Sequence, residues 1–77
     1  MLFLIEYDRK QGEIVTLQTF DDADKLKAES KRLELELRLN RSGIEHEVVI
    51  LEAQNDEALR RTHRRYFESL ADLTKVS

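Results

Sequence analysis

The order of apolar and polar positions predicts that the chain begins with a β-hairpin. Residues 2–7 are mostly Leu, Ile and aromatic residues, which is typical of a short buried strand. Residues 13–20 alternate apolar and polar positions, which indicates a half-exposed strand. The polar run 8–12 ends in Gly12 and suits the connecting loop. Pairing Tyr7 with Glu13 divides the apolar side chains of the hairpin into two faces, one carrying Phe3, Ile5, Val15 and Leu17 and the other carrying Leu2, Leu4 and Ile14.

The next segment predicts a first helix that begins at a cap near Asp21 or Asp22 and ends at Gly43. Small and apolar residues recur there at three- and four-residue spacing, and we assign this stripe to the core: Ala23, Leu26, Ser30, Leu33, Leu37 and Asn40. Residues 33–39 also alternate leucine with charged residues, as a strand would. Because Leu, Glu and Arg are strong helix formers and no β-branched residue occurs there, a helix is favoured.

The second half of the chain predicts one more strand and one more helix. Residues 44–52 contain the apolar run 48–51, which indicates a third strand. Asn55 or Asp56 then caps a helix that runs to about Leu73, with residues 74–77 as a frayed tail. The apolar face of this helix is predicted to carry Leu59, His63, Tyr66, Phe67, Leu70 and Leu73.

These elements predict a single α+β domain over residues 1–77 with the order β-β-α-β-α. A right-handed crossover through the first helix places the third strand beside the first. The sheet is therefore expected to be three-stranded and mainly antiparallel, with strand order 2-1-3. Both helices are expected to cover one face of it.

That arrangement leaves apolar side chains without cover, and their exposure predicts a contact surface. The open sheet face and the second stripe of the first helix contribute six residues: Leu2, Leu4, Ile14, Ala28, Leu35 and Leu39. A contiguous apolar patch usually marks an interface, and a symmetric homodimer is the simplest way to cover it. The alternative is that Leu35 and Leu39 are tolerated surface leucines, which are common.

Composition restricts the classes of function that need to be considered. The chain has 77 residues, 40% hydrophobic and 38% charged, with a net charge of -3 and no cysteine. A thiolate zinc site, an iron–sulfur cluster and a cysteine nucleophile are thereby excluded, and we expect no metal and no cofactor. The apolar start of the chain is too short for a signal peptide or a membrane span, so we expect a cytoplasmic protein with no membrane partner.

Four arginines and a tyrosine form the densest cluster of candidate binding residues. Arg60, Arg61, Arg64 and Arg65 fall on one arc of the predicted second helix, with Tyr66 beside them. Guanidinium groups on one face are the groups that hold phosphate, so nucleic acid or another phosphate ligand is an alternative partner. Intrahelical ion pairs with the acids of the same segment explain the pattern without a ligand, and the chain is acidic overall.

The two histidines are the remaining candidates for chemistry. His46 and His63 are expected to approach each other in a half-buried pocket if the strand face that carries His46 is the face that packs on the helices. The competing interpretation is a pair of boundary histidines that only pack. No serine lies in a nucleophile turn and the two glycines are too far apart for a phosphate loop, so an enzymatic activity has no motif to support it.

We therefore expect a small interaction module that self-associates, with a nucleic-acid or phosphate-binding accessory protein as the alternative.

Overall fold

The computed structural model describes residues 1–67 and confirms the predicted order of elements and the α+β class. Two short 3-10 turns, at Asp22–Asp24 and Arg64–Tyr66, add to the five main elements. Those elements are β1 Leu2–Asp8, β2 Glu13–Phe20, α1 Lys25–Ser42, β3 Glu47–Glu52 and α2 Asp56–Thr62. The predictions for Leu70, Leu73 and the tail 74–77 lie outside the described residues.

The sheet has the predicted strand order β2-β1-β3, with β1 antiparallel to both neighbours. The predicted hairpin register is wrong, because Glu13 pairs with Asp8 and Ile5 lies opposite Leu17. A β-bulge between Glu6 and Tyr7 shifts the register within the hairpin. The shift puts Ile14 opposite Tyr7, so Ile14 lies on the other face from the one predicted.

The two helices cover opposite faces of the sheet, and the prediction that they share one face is wrong. Phe3, Ile5 and Tyr7 form one core cluster with Leu59 of α2 and Tyr66. Side chains alternate along a strand, so Leu2 and Leu4 point the other way, and both are buried. That second face lies under α1, which contacts all three strands. The physical reason is that β1 is apolar on both faces, and each face needs its own cover.

The surface predicted to be exposed is buried within the chain. Leu2, Leu4, Ala28, Leu35 and Leu39 are all at most 9% exposed, and Ile14 is partly buried against the α2-side cluster. These six residues therefore form no open interface, and their prediction as one is wrong. The stripe of the first helix that we assigned to the core is exposed instead. The prediction therefore interchanged the buried and the exposed side of this helix.

The predicted start of the first helix at Asp21 or Asp22 is wrong, because α1 begins at Lys25 after the 3-10 turn and neither Asp21 nor Asp24 caps a helix with its side chain. The end of α1 and the start of α2 follow the local sequence signals. Residues 33–39 are helical, as their composition favoured. Gly43 ends α1 at a φ of 66°, and the backbone N–H groups of Gly43 and Ile44 donate to the carbonyls of Asn40 and Leu39. Asn55 caps α2 by accepting a hydrogen bond from the backbone N–H of Ala58 at 2.8 Å.

The second helix is shorter than the sequence predicts. It ends at Thr62, whose hydroxyl donates to the carbonyl of Ala58, and the 3-10 turn replaces the next turn of helix. Tertiary contacts of Tyr66 accompany this change of direction. Its ring packs edge-on against Tyr7 with 5.1 Å between centroids.

Replacing single leucines of α1 tests which stripe is the core. We expect Leu35→Ala to lower the free energy of unfolding by about 2–5 kcal/mol, because it opens a cavity under the helix. Leu33→Ala, on the outer side of the same helix, should change it by less than about 0.5 kcal/mol. Urea unfolding followed by circular dichroism measures both variants. Equal losses, or the larger loss in Leu33→Ala, would contradict the assignment of the α1 faces.

Candidate functional site

Glu47 lies at the centre of the first polar cluster, on the α2 side of the sheet. Its carboxylate is only 12% exposed and accepts hydrogen bonds from Arg9 of the hairpin loop at 2.6 Å and from Arg65 at 3.0 Å. The hydroxyl of Tyr66 donates to the same carboxylate. The hydroxyl of Tyr7 donates to the backbone carbonyl of Arg65 at 3.3 Å. These hydrogen bonds hold Arg65 and Tyr66, near the end of the described residues, against the sheet.

The surroundings of Glu47 shift three pKa values in the directions expected for a carboxylate paired with cations. Hydrogen bonds from Arg9 and Tyr66 lower the pKa of Glu47, against the opposing effect of burial. Burial and the hydrogen bond to Glu47 raise the pKa of Tyr66. The hydrogen bond to Glu47 raises the pKa of the exposed Arg9. The charged form of Glu47 is therefore the form that the fold stabilises.

The structure divides the predicted anion-binding residues between α2 and the 3-10 turn that follows it. Because α2 ends at Thr62, only Arg60 and Arg61 lie on it, and the predicted single arc of four arginines is wrong. Arg60 pairs with Asp56 at 2.8 Å and Arg61 pairs with Glu57 at 2.9 Å, both one turn apart. Arg65 pairs with Glu47, and Arg64 also has an interaction partner. Tyr66 is buried, so its ring offers no surface for stacking on a base.

Glu6 forms a second polar cluster on the opposite face of the sheet. It is 6% exposed, and it accepts a hydrogen bond from the Thr16 hydroxyl at 2.9 Å. Its other carboxylate oxygen lies 2.7 Å from Nδ1 of His46. Nε2 of His46 is 3.6 Å from a carboxylate oxygen of Asp8, which is an ion-pair distance and too long for a hydrogen bond. Both oxygens of Glu6 are thus satisfied by β2 and by the segment that leads into β3.

The two histidines do not form a common pocket, and that prediction is wrong. His46 lies on the α1 side against Glu6, whereas His63 lies on the α2 side, with 6.5 Å between its ring centroid and that of Tyr66. A groove of about 440 Å³ near the end of α1 includes His46 and Lys10 in its lining. Within residues 1–67, no group of three or more His, Asp or Glu side chains is placed to hold a metal ion.

The sequence did not lead us to predict Glu6, Arg9 and Glu47 as members of the two polar clusters. Glu6 carries a signal, because it is the one acid inside an otherwise apolar strand. A buried acid needs partners, and the strand alternation would have placed them on the face of Leu2 and Leu4. Arg9 and Glu47 are 38 residues apart in the chain, and no local pattern links them.

The third feature of the surface is apolar and lies on α1. We define the outer stripe as the exposed residues that point away from the sheet: Leu26, Ser30, Leu33, Leu37 and Asn40. Its three leucines are 79%, 56% and 48% exposed, whereas Leu35 on the inner side is 5% exposed. The spacing of four, three, four and three residues is the spacing of a helix–helix seam. A groove of about 370 Å³ between the stripe and the end of β2 borders it.

Glu47→Gln tests whether the first cluster stabilises the fold. The pKa of Glu47 is lowered from its ordinary value of 4.5, so its contribution is present above about pH 4.5 and is lost as the pH falls through the lowered pKa. We expect the variant to lose about 1–3 kcal/mol at pH 7, and the difference from the unmodified protein to shrink toward pH 3. Urea unfolding at several pH values measures it.

The control for this experiment is Glu45→Gln, which removes the same charge from an exposed position two residues away. It should change stability by less than about 0.5 kcal/mol. A loss in Glu47→Gln that is as large at pH 3 as at pH 7 would show that the charge of Glu47 is not what stabilises the fold.

Comparisons of the chain with protein-family models, with curated proteins and with solved structures find no match. Among residues 1–67, no helix combines the length and the apolar character that a bilayer crossing requires. The function therefore has to be argued from the surface of the molecule, where the outer stripe holds the three most exposed leucines of residues 1–67.

Proposed function

We propose that this protein is an interaction module that self-associates as a homodimer through the outer stripe of α1. The observation that carries the proposal is the exposure of Leu26, Leu33 and Leu37 on one side of an 18-residue helix. Single exposed leucines are ordinary, but three on one side of a helix at seam positions, with only Ser30 between the first and the second, make a mainly apolar stripe. The opposite side of the same helix already covers the sheet, so this stripe has no role in the fold of the described residues.

The chemistry of the stripe favours a helix as the contacting element. The five positions of the stripe recur at alternating four- and three-residue intervals, and side chains with that spacing fit between those of a second helix, as knobs fit into holes. The residues beside the stripe are charged, with Glu29 and Glu36 on one side and Lys27 and Glu34 on the other. An apolar centre with a charged rim is the usual composition of a specific protein contact.

The strength of such a contact is limited by its size. Burying a leucine completely is worth roughly 1.5–3 kcal/mol, so six half-exposed leucines in a dimer contribute on the order of 6 kcal/mol. Association itself costs about 4–15 kcal/mol, and the leucines alone therefore support only a weak dimer. Detecting it requires protein concentrations that extend toward about 1 mM.

The arginine cluster supports its alternative less well than the stripe supports self-association. Ion pairs with acids of the same chain occupy Arg60, Arg61 and Arg65. A phosphate ligand would have to displace those acids, and the net charge of -3 opposes its approach.

Leu33→Lys tests the proposal by placing a charge at the middle of the outer stripe. We expect sedimentation velocity between about 10 µM and 1 mM to show a concentration-dependent dimer for the unmodified protein and a monomer for the variant, because a buried unpaired charge is costly. The helix should persist, since lysine is a strong helix former.

Val15→Lys is the matched control, because Val15 is 54% exposed but lies on β2 instead of α1. Lysine is well tolerated on an edge strand, so this variant should dimerise like the unmodified protein. A protein that is monomeric at every concentration would overturn the proposal. Loss of the dimer in Val15→Lys alone would move the contact to the edge of the sheet.

A further inference from the structure

The sequence of α1 around the outer stripe reads the same in both directions. Residues 32–38 are Arg-Leu-Glu-Leu-Glu-Leu-Arg, with Leu35 at the centre. The symmetry of residue class extends further along the stripe, because Ser30 and Asn40 are both polar and each lies five residues from Leu35. All seven residues are helical, so the sequence symmetry is also a symmetry of the helix surface.

A helix with this symmetry is complementary to a second copy of itself that runs in the opposite direction. A two-fold axis on the outer side of α1, level with position 35 along the helix, brings each residue before the centre next to the residue the same number of places after the centre in the other copy. Leu33 then meets Leu37 of the second copy, and Ser30 meets its Asn40. Between positions 30 and 40 of the stripe, apolar side chains face apolar ones and polar side chains face polar ones.

The charges beside the stripe are balanced in the same arrangement. Glu34 and Arg38 lie on one flank, 3.3 Å apart, and Arg32 and Glu36 lie on the other, 3.8 Å apart. With two copies, each flank holds two carboxylates and two guanidinium groups near the axis. The carboxylates of the two copies approach one another there, but a guanidinium group of either copy lies within reach of each of them.

A parallel pair of helices is less favourable because it aligns the two helix dipoles side by side in the same direction, whereas the antiparallel pair opposes them.

We propose that the partner of the outer stripe is a second copy of this chain, antiparallel to the first about a two-fold axis that lies on the outer side of α1, level with position 35. The proposal rests on the proposed function and adds its geometry: Leu33 packs on Leu37 of the other copy, and Ser30 lies beside its Asn40. Each copy places its sheet on the outside of the helix pair, because the sheet covers the opposite side of α1.

Engineered cysteines test the direction of the helices, since the chain has no cysteine of its own. Ser30→Cys and Asn40→Cys are made as separate proteins at two exposed polar positions, one carrying a tag that changes its mass. The variants are oxidised mildly, alone and mixed, and are separated by non-reducing electrophoresis. We expect a mixed disulfide dimer and little dimer of either variant alone.

The physical reason is distance. In the antiparallel pair, two copies of position 30 are ten residues apart along the axis, about 15 Å at 1.5 Å per residue. A disulfide bridges Cα atoms only up to about 7 Å apart. A parallel pair reverses the outcome, because equal positions then lie side by side and each variant crosslinks with itself.

Two further measurements separate failure of the geometry from failure of the proposed function. Adding Leu33→Lys to both cysteine variants should abolish the mixed disulfide if it forms within the dimer instead of by collision. If the unmodified protein sediments as a dimer but the mixed disulfide is absent, the antiparallel geometry is wrong and self-association stands. If the unmodified protein is a monomer throughout, both proposals fall.

Discussion

The central strand β1 is buried on both faces, and the rest of the fold follows from that constraint. Phe3 and Ile5 point to one side and Leu2 and Leu4 to the other, and all four are almost inaccessible to water. One helix cannot cover both sides, so α1 and the α2 segment must separate to opposite faces. The strand order follows as well, since the position between β2 and β3 is the one that protects both edges of the most apolar strand.

The two polar clusters supply partners for the carboxylates that are buried at one end of the sheet. Glu6 lies on β1 in the interior, and a buried carboxylate without partners is costly. Thr16 and His46 supply its partners from the two flanking parts of the chain. On the other face, Glu47 joins Arg9 to Arg65. Each cluster connects segments that are distant in sequence, so together they fix the hairpin loop and the end of the described chain relative to β3.

The sequence predicted the elements and their order because period-two and period-3.6 patterns are local properties. It could not predict which side of α1 meets the sheet, since leucines occur on both sides of this helix. Leu35 and Leu39 on one side and Leu33 and Leu37 on the other are equivalent by spacing and hydropathy. Small residues do not separate the two sides either, since Ala28 lies on the buried side and Ser30 on the exposed one.

The remaining errors arose where tertiary contacts override local pattern. The bulge after Glu6 moves Ile14 to the other face of the hairpin, and the alternation of β2 alone does not reveal it. The end of α2 at Thr62 is accompanied by contacts that Tyr66 makes with Tyr7 and Glu47, far away in sequence. Both errors affected the candidate site, because an uninterrupted second helix was the premise for one face of arginines and for a pocket shared by the histidines.

An exposed line of leucines is what distinguishes α1 from a helix that only covers a sheet. A helix that only covers a sheet needs one apolar side, and any leucine on its outer side raises the risk of non-specific aggregation. The charges of α1 limit that risk, because they lie on both sides of the leucines and disfavour a partner whose charges do not match. The mirror order of residues 32–38 is the reason we propose an inverted copy of the same helix as the partner. A weak and directional contact of this kind would let the chain fold alone and assemble only when its concentration is high.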